Sequence, residues 1–194
     1  SNTLSFAILY LIHNKDVQQK AQLEIDQVVG LFRQISLADK SILPYTEAVL
    51  LETLRLSSIV PLGLPHRMVK DTIFHDYFLP KNVTVISNLW AIHHDPKIWG
   101  DDVNEFRPER FLSDNNTRVI RHEALMPFSA GRRQCLGEGL ARDTMFLFLA
   151  NILQKFCIEK EPGCSAFKVE APTGLLVEPQ PFNFALKLRN IEDL

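Results

Sequence analysis

The chain has 194 residues, 46% of them apolar, and 21 basic against 23 acidic side chains leave a net charge of −2 at pH 7. That length suits one domain with its own core, and the near-even charge balance gives no nucleic-acid surface. The longest apolar run, 6–12, is too short to span a bilayer, no signal-peptide pattern is present, and three cysteines without a C-x-x-C pair speak against a disulfide framework and suit a reducing compartment.

Residues 3–14 are apolar nearly all round and read as a buried helix. Residues 16–29 follow with Val17, Ala21, Ile25, Val28 and Val29 on one face and Gly30 as the stop. Pro44 suits the first position of a third helix running to about Leu56. Short β-rich pieces from Pro61 to Val85, punctuated by Pro61, Gly63, Pro65 and the turn Pro80-Lys81-Asn82, predict a small sheet region with Val83 and Val85 on one face. Ser87 is placed to cap a short helix reaching His93, and 95–116 has little periodicity and reads as a long packed loop. A last strong helix begins near Cys135, with Leu140, Phe148, Leu149, Ile152 and Phe156 at helical spacing; strand-like pieces follow at 175–177 and 184–188. The expected fold class is mainly α with a minor β region.

Two features carry chemistry. In ETLR, Glu52 and Arg55 lie three apart on one helix face among Ala48, Val49, Leu51 and Leu56, which suggests a buried pair. A buried arginine has five donors to satisfy, and the loop FRPERF offers Arg107, Glu109 and Arg110 as neighbours. Taken alone, the spacing favours the plainer alternative of an exposed intrahelical salt bridge of little energetic weight.

The second feature is PFSAGRRQCLGEGLAR, which surrounds Cys135 with three glycines and three arginines. A sulfur just before a helix faces unpaired amide groups and the positive helix end, which favour negative charge there. Gly131, Gly137 and Gly139 permit tight turning and close backbone approach to a flat, bulky group, and Phe128 can shield the sulfur. Arg133 can reach a negatively charged edge of the same group. A metal cofactor with an anionic edge fits, and haem has both an iron and propionates. Other readings of Cys135 are a small buried hydrophobe and a nucleophile paired with His66, His93, His94 or His122. A zinc site from Cys135, Cys157 and Cys164 lacks two adjacent ligands on one turn.

In their order these residues resemble the C-terminal part of a cytochrome P-450, a haem-thiolate monooxygenase of the microsomal animal type. Phe128, Gly131, Arg133, Cys135 and Gly137 match F-x-x-G-x-R-x-C-x-G, Glu52 and Arg55 match E-x-x-R, and 106–111 match F-x-P-E-R-F. The resemblance implies that 1–194 form the C-terminal portion of a single helical domain with a minor sheet. It implies haem b, with Cys135 as iron ligand, Arg133 and His66 as propionate partners, and Arg110 completing a buried network with Glu52 and Arg55. Substrate-facing candidates are Ile59, Val60, Leu62, Gly63 and Leu64 in one segment and Thr173, Gly174, Leu175 and Leu176 in another. Their apolar character suggests a lipophilic substrate; simple core packing is the alternative for each.

For an intact member the resemblance implies insertion of one oxygen atom of dioxygen into an organic substrate. Electrons come from NADPH through the NADPH-cytochrome reductase, or from cytochrome b5, and the thiolate favours O–O cleavage. Arg118, Arg121, Arg132 and Arg142 form a candidate basic docking surface for that donor, an ordinary solvated face being the alternative. The implied location is the endoplasmic reticulum membrane, cytosolic face, through an N-terminal anchor that lies outside these residues. The family's distal acidic residue and threonine are also missing, and Ser1 opens the chain inside a helical pattern, so a fragment is expected. The rival readings are a non-catalytic truncated product that binds haem weakly or not at all, and a thiolate-haem isomerase or dehydratase that needs no external electrons.

Overall fold

The apolar opening stretch becomes the centre of the molecule. In the computed structural model, which describes residues 2–161 and 175–189, helix α1 (Asn2–His13) buries Phe6, Ala7, Leu9, Tyr10, Leu11 and Ile12. Helix α2 (Lys15–Val28) follows at once and buries Val17, Ala21 and Ile25 as expected, whereas Val28 is exposed. Its end is closed by Gly30 at φ +75°, whose N–H donates to the Ile25 carbonyl at 3.0 Å.

Helix α3 (Pro44–Ser57) begins on Pro44, as the sequence indicates, yet the residue before it, Leu43, cannot cap it. The Glu24 carboxylate of α2 does so instead, accepting from the Tyr45 and Thr46 amides at 2.6 and 2.8 Å and from the Thr46 hydroxyl at 2.8 Å.

The β region forms two separate antiparallel ladders. Strand β1 (His66–Arg67) pairs with β4 (Thr84–Val85), and β2 (Thr72–Phe74) pairs with β3 (Tyr77–Leu79) through a hairpin turn at His75 and Asp76, both at positive φ. Helix α4 (Leu89–His93) is capped by Asn88, whose Oδ1 accepts from the Ala91 N–H at 3.0 Å, one residue later than the expected Ser87. The expected loop at 95–116 is more structured than its composition suggests. Asp95 caps a short α5 (Pro96–Trp99), and Pro108–Phe111 forms a 3-10 turn, with Trp99, Val103, Phe106 and Phe111 buried.

Helix α6 (Glu138–Lys155) packs on α1, α2 and α3. Its buried face is Met145, Phe146, Leu149, Ala150 and Leu153; Leu140 and Phe148, noted in the sequence for their helical spacing, are 77% and 58% exposed. The helix stops at Lys155, so Phe156 opens β5 (Phe156–Lys160), paired antiparallel with β6 (Phe184–Leu188). Residues 175–177 are not a strand; Val177 donates to the Ile59 carbonyl at 2.8 Å and ties this segment to the end of α3. Gln18, on the buried face of α2, treats β5 as a neighbouring strand would. Its Nε2 donates to the Ile158 carbonyl at 3.0 Å and its Oε1 accepts from the Ile158 N–H at 2.7 Å.

Candidate cofactor site at Cys135

Glu52 and Arg55 are both wholly buried. The Glu52 carboxylate accepts from Arg55 Nε and Nη2, each at 2.8 Å, from Arg110 Nε at 2.9 Å and from the Arg107 backbone N–H at 3.1 Å. Arg55 spends its remaining donors on the His93 and Val103 carbonyls at 2.7 and 2.8 Å, and its guanidinium lies over the Trp99 ring. Arg110 donates to the Trp99 and Asp102 carbonyls. One carboxylate thus faces two guanidinium groups, and the arginines' spare donors hold the irregular 93–110 segment by its backbone. The other two candidates of FRPERF do different work: the Arg107 side chain pairs with Asp102 at 2.7 Å, and Glu109 meets Lys20 and the Tyr45 hydroxyl.

His93, at the end of α4, is 1% exposed and has both ring nitrogens occupied. Burial first, then the neighbouring His94 and Arg55, push it down to about 4 from an ordinary 6.5. Between those values the unfolded chain binds a proton that the folded chain refuses, so this contribution is complete above pH 6.5 and is lost as pH falls toward 4. Urea denaturation across that window is expected to show a loss of about 3 kcal/mol from this group, and His93→Gln removes that part of the slope.

The cysteine loop is closed by its own backbone. The Cys135 N–H donates to the Phe128 carbonyl at 3.0 Å and Ser129 N–H to Met126 O at 3.0 Å, while Gly131–Arg133 makes a 3-10 turn with Gly131 at φ +70°. Nothing lies within 4 Å of where a side chain at Gly131 would start. Helix α6 begins at Glu138, so Cys135 sits two residues before the Gly137 cap rather than against the first turn.

A cavity of about 430 Å³ gathers the separate segments. Cys135, Arg133, Phe128 and His66 line it together with Ile59, Val60, Gly63, Leu64 and Leu176. Phe128 is backed by the Arg142 guanidinium, whose centre lies 5.3 Å from the ring centroid. Leu62 and Leu175 are exposed and do not line the cavity, and Thr173 and Gly174 lie outside the described residues. Arg142 does not belong to a basic surface: it is 7% exposed and bonded to Glu138 at 2.6 Å. Arg118, Arg121 and Arg132 are exposed. Cys157 lies on β5 beside Gln22, and Cys164 lies outside the described residues.

The donor set suits a large, flat, mainly apolar cofactor with a metal centre and anionic edges. The cavity offers one sulfur to a metal, a guanidinium and an imidazole to carboxylates, and aliphatic walls to a macrocycle. Sequence reasoning missed the bonds of His93, the cap from Glu24 and the strand-like Gln18. For the last two a signal exists in a polar residue standing next to the apolar positions of α2: Gln18 is buried there and Glu24 half-buried.

The Cytochrome P450 family model matches residues 1–186. Cytochrome P450 1A2 of Balaenoptera acutorostrata is 44% identical over 185 residues, covering 93% of this chain and 35% of that protein. The steroid 17-alpha-hydroxylase/17,20 lyase of Rana dybowskii is 41% identical over 192 residues, 98% of this chain and 37% of that protein. Cytochrome P450 2U1 of Mus musculus is 38% identical over 189 residues, 97% of this chain and 35% of that protein. The chain spans about a third of the length of these curated relatives. A match that runs unbroken from α1 through the cysteine loop to β6 identifies the chain as a member of the cytochrome P450 family.

Proposed function

We propose that this chain supplies the cysteine side of a haem-thiolate monooxygenase that inserts one oxygen atom of dioxygen into a lipophilic organic substrate. The observation that carries this reading is the cavity where Cys135 shares walls with Arg133, His66 and a set of aliphatic side chains. Haem, when bound, supplies the iron on which dioxygen is reductively activated, with a thiolate donating electron density toward O–O cleavage.

The residues of the chain divide the remaining work. Cys135 would present its sulfur to the iron, Phe128 would cover that sulfur on one side, and Gly131 and Gly137 would let the loop approach the macrocycle closely. Arg133 and His66 would hold the propionates and neutralise the charged edge of the cofactor. Ile59, Val60, Leu64 and Leu176 give the substrate an apolar surface, which fits a class of substrates such as that named for the steroid hydroxylase relative. The network of Glu52, Arg55 and Arg110 acts at a distance, by holding the backbone of 93–110.

Electrons come from NADPH through the microsomal reductase, with cytochrome b5 as a second donor, at the cytosolic face of the endoplasmic reticulum membrane. No described helix is long and apolar enough to cross a membrane. Arg118, Arg121 and Arg132 form the basic docking surface, and Arg142 is removed from it by its burial. Charge reversal at Arg118 and Arg132 together is expected to slow reduction by about tenfold at low salt and less at high salt; an unchanged rate at low salt removes this surface from the reading. Turnover that requires NADPH separates a monooxygenase from an isomerase or dehydratase built on the same loop. The direct test of the site is haem titration of the protein. One haem per chain with a strongly red-shifted Soret band after reduction under carbon monoxide supports the reading. Failure to bind haem, both here and in a chain extended to the relatives' length, overturns it.

A further inference from the structure

The cysteine loop has few side-chain anchors of its own, yet the turn that leads into it is fastened to the end of α3 through a single ring. The Met126 N–H donates to His93 Nε2 at 3.2 Å, so that nitrogen carries the lone pair and the proton sits on Nδ1. From Nδ1 the ring donates to Ser58 Oγ at 2.8 Å, and the Ser58 hydroxyl donates in turn to the Arg55 carbonyl at 2.8 Å. Arg55 Nη1 returns a bond to the His93 carbonyl at 2.7 Å. On the other side, the Met126 carbonyl accepts from the Ser129 N–H, and Phe128 between them accepts from the Cys135 N–H. The path is continuous: ion-pair core, Ser58, His93, Met126, and then the hydrogen bond that closes the cysteine loop.

We propose that His93 is a positioning residue for Cys135, its neutral imidazole tying the entry of the cysteine loop to the helix that carries Glu52 and Arg55. With both nitrogens in use, His93 has no lone pair to offer a metal and cannot serve as base to the thiol. The ring also imposes a polarity that other side chains reproduce only in part. An acceptor is required toward Met126 and a donor toward Ser58, separated by the width of a five-membered ring. Asparagine reaches the position of Nδ1 and glutamine the position of Nε2, so the two amides divide the tie between them. The consequence for sulfur ligation rests on the haem-thiolate reading; the tie itself does not.

The test compares His93→Asn, which keeps the Ser58 contact, with His93→Gln, which keeps the Met126 contact. Amide hydrogen exchange is followed in the chain without cofactor. In His93→Asn the Met126 amide, a part-buried donor that has lost its acceptor, and the Cys135 amide, whose bond to the Phe128 carbonyl closes the loop that Met126 leads into, are expected to exchange about tenfold faster. In His93→Gln they stay near the wild-type rate, and the Leu153 amide of α6 serves as the control for global opening. Equal rates in the two variants overturn the proposal, as does an acceleration at Leu153 that matches the one at Met126. In the haem-loaded protein, His93→Asn is expected to lose several-fold of the red-shifted carbon-monoxide band per haem, and His93→Gln to keep it. If Cys135→Ser keeps that band as well, the haem-thiolate reading fails while the exchange result stands on its own.

Discussion

Cys135→Ser is expected to abolish the strongly red-shifted Soret band of the reduced, carbon-monoxide-bound protein, while leaving the fold intact. The band reports a thiolate on iron, and a hydroxyl cannot replace it electronically. The fold is spared because the bonds made at this position belong to the backbone. The Cys135 N–H closes the loop on Phe128, and its carbonyl accepts from the Glu138 N–H at 3.3 Å. The residue itself is exposed, so a change of about 0.5 kcal/mol or less in unfolding free energy is expected. Cys135→His should retain part of the haem and lose oxygenase turnover, imidazole lacking the thiolate's electron donation. A red-shifted band that survives in the serine variant would falsify the assignment of Cys135 as the iron ligand.

Glu52→Ala is expected to cost about 3–5 kcal/mol of stability, a large part of what a domain of this size possesses. Among the described residues the substitution removes the only carboxylate that Arg55 contacts, and it leaves that guanidinium, with no exposed surface, beside Arg110, which is 4% exposed. Two like charges then share a buried site that neither can leave, since carbonyls of the 93–103 segment hold Arg55 in place. Urea unfolding followed by circular dichroism measures the effect. A loss below about 1 kcal/mol is what an exposed pair at this spacing would give, and would contradict the buried arrangement. Arg55→Lys in the otherwise unchanged chain should itself be destabilising, because an ammonium cannot span Glu52 and two carbonyls in the planar fork geometry.

The contrast between these two sites indicates what a sequence can carry. Helices α1 to α3 were legible because their period is local, and the motifs around Glu52, Cys135 and 106–111 because their spacing is fixed within one segment each. Helix α6 starts three residues later than expected, because Gly137 takes the cap position and leaves Cys135 and Leu136 in the turn before it. Leu140 and Phe148 share the helical spacing of Leu149 yet face solvent, because α6 is apolar on several sides and its pattern does not reveal which side meets α1. Arg142 was counted as surface charge by residue type alone; Glu138 four residues before it and Phe128 across the loop are what take it inside. The bonds of His93 join three segments, and nothing local distinguishes it from the adjacent His94, whose Nδ1 meets the Trp90 carbonyl in its own helix.

The carboxylate of Glu24 at the head of α3 implies an order of events in time. A helix whose first amides are satisfied from a neighbouring helix gains little by forming alone, where a costly nucleus would end on the apolar Leu43. The segment bearing Glu52 and Arg55 is therefore expected to be completed when α2 docks, and the half of the chain that carries Cys135 to follow it. A substitution at Glu24, remote in sequence from Cys135, should appear first as slower refolding of the α2–α3 pair.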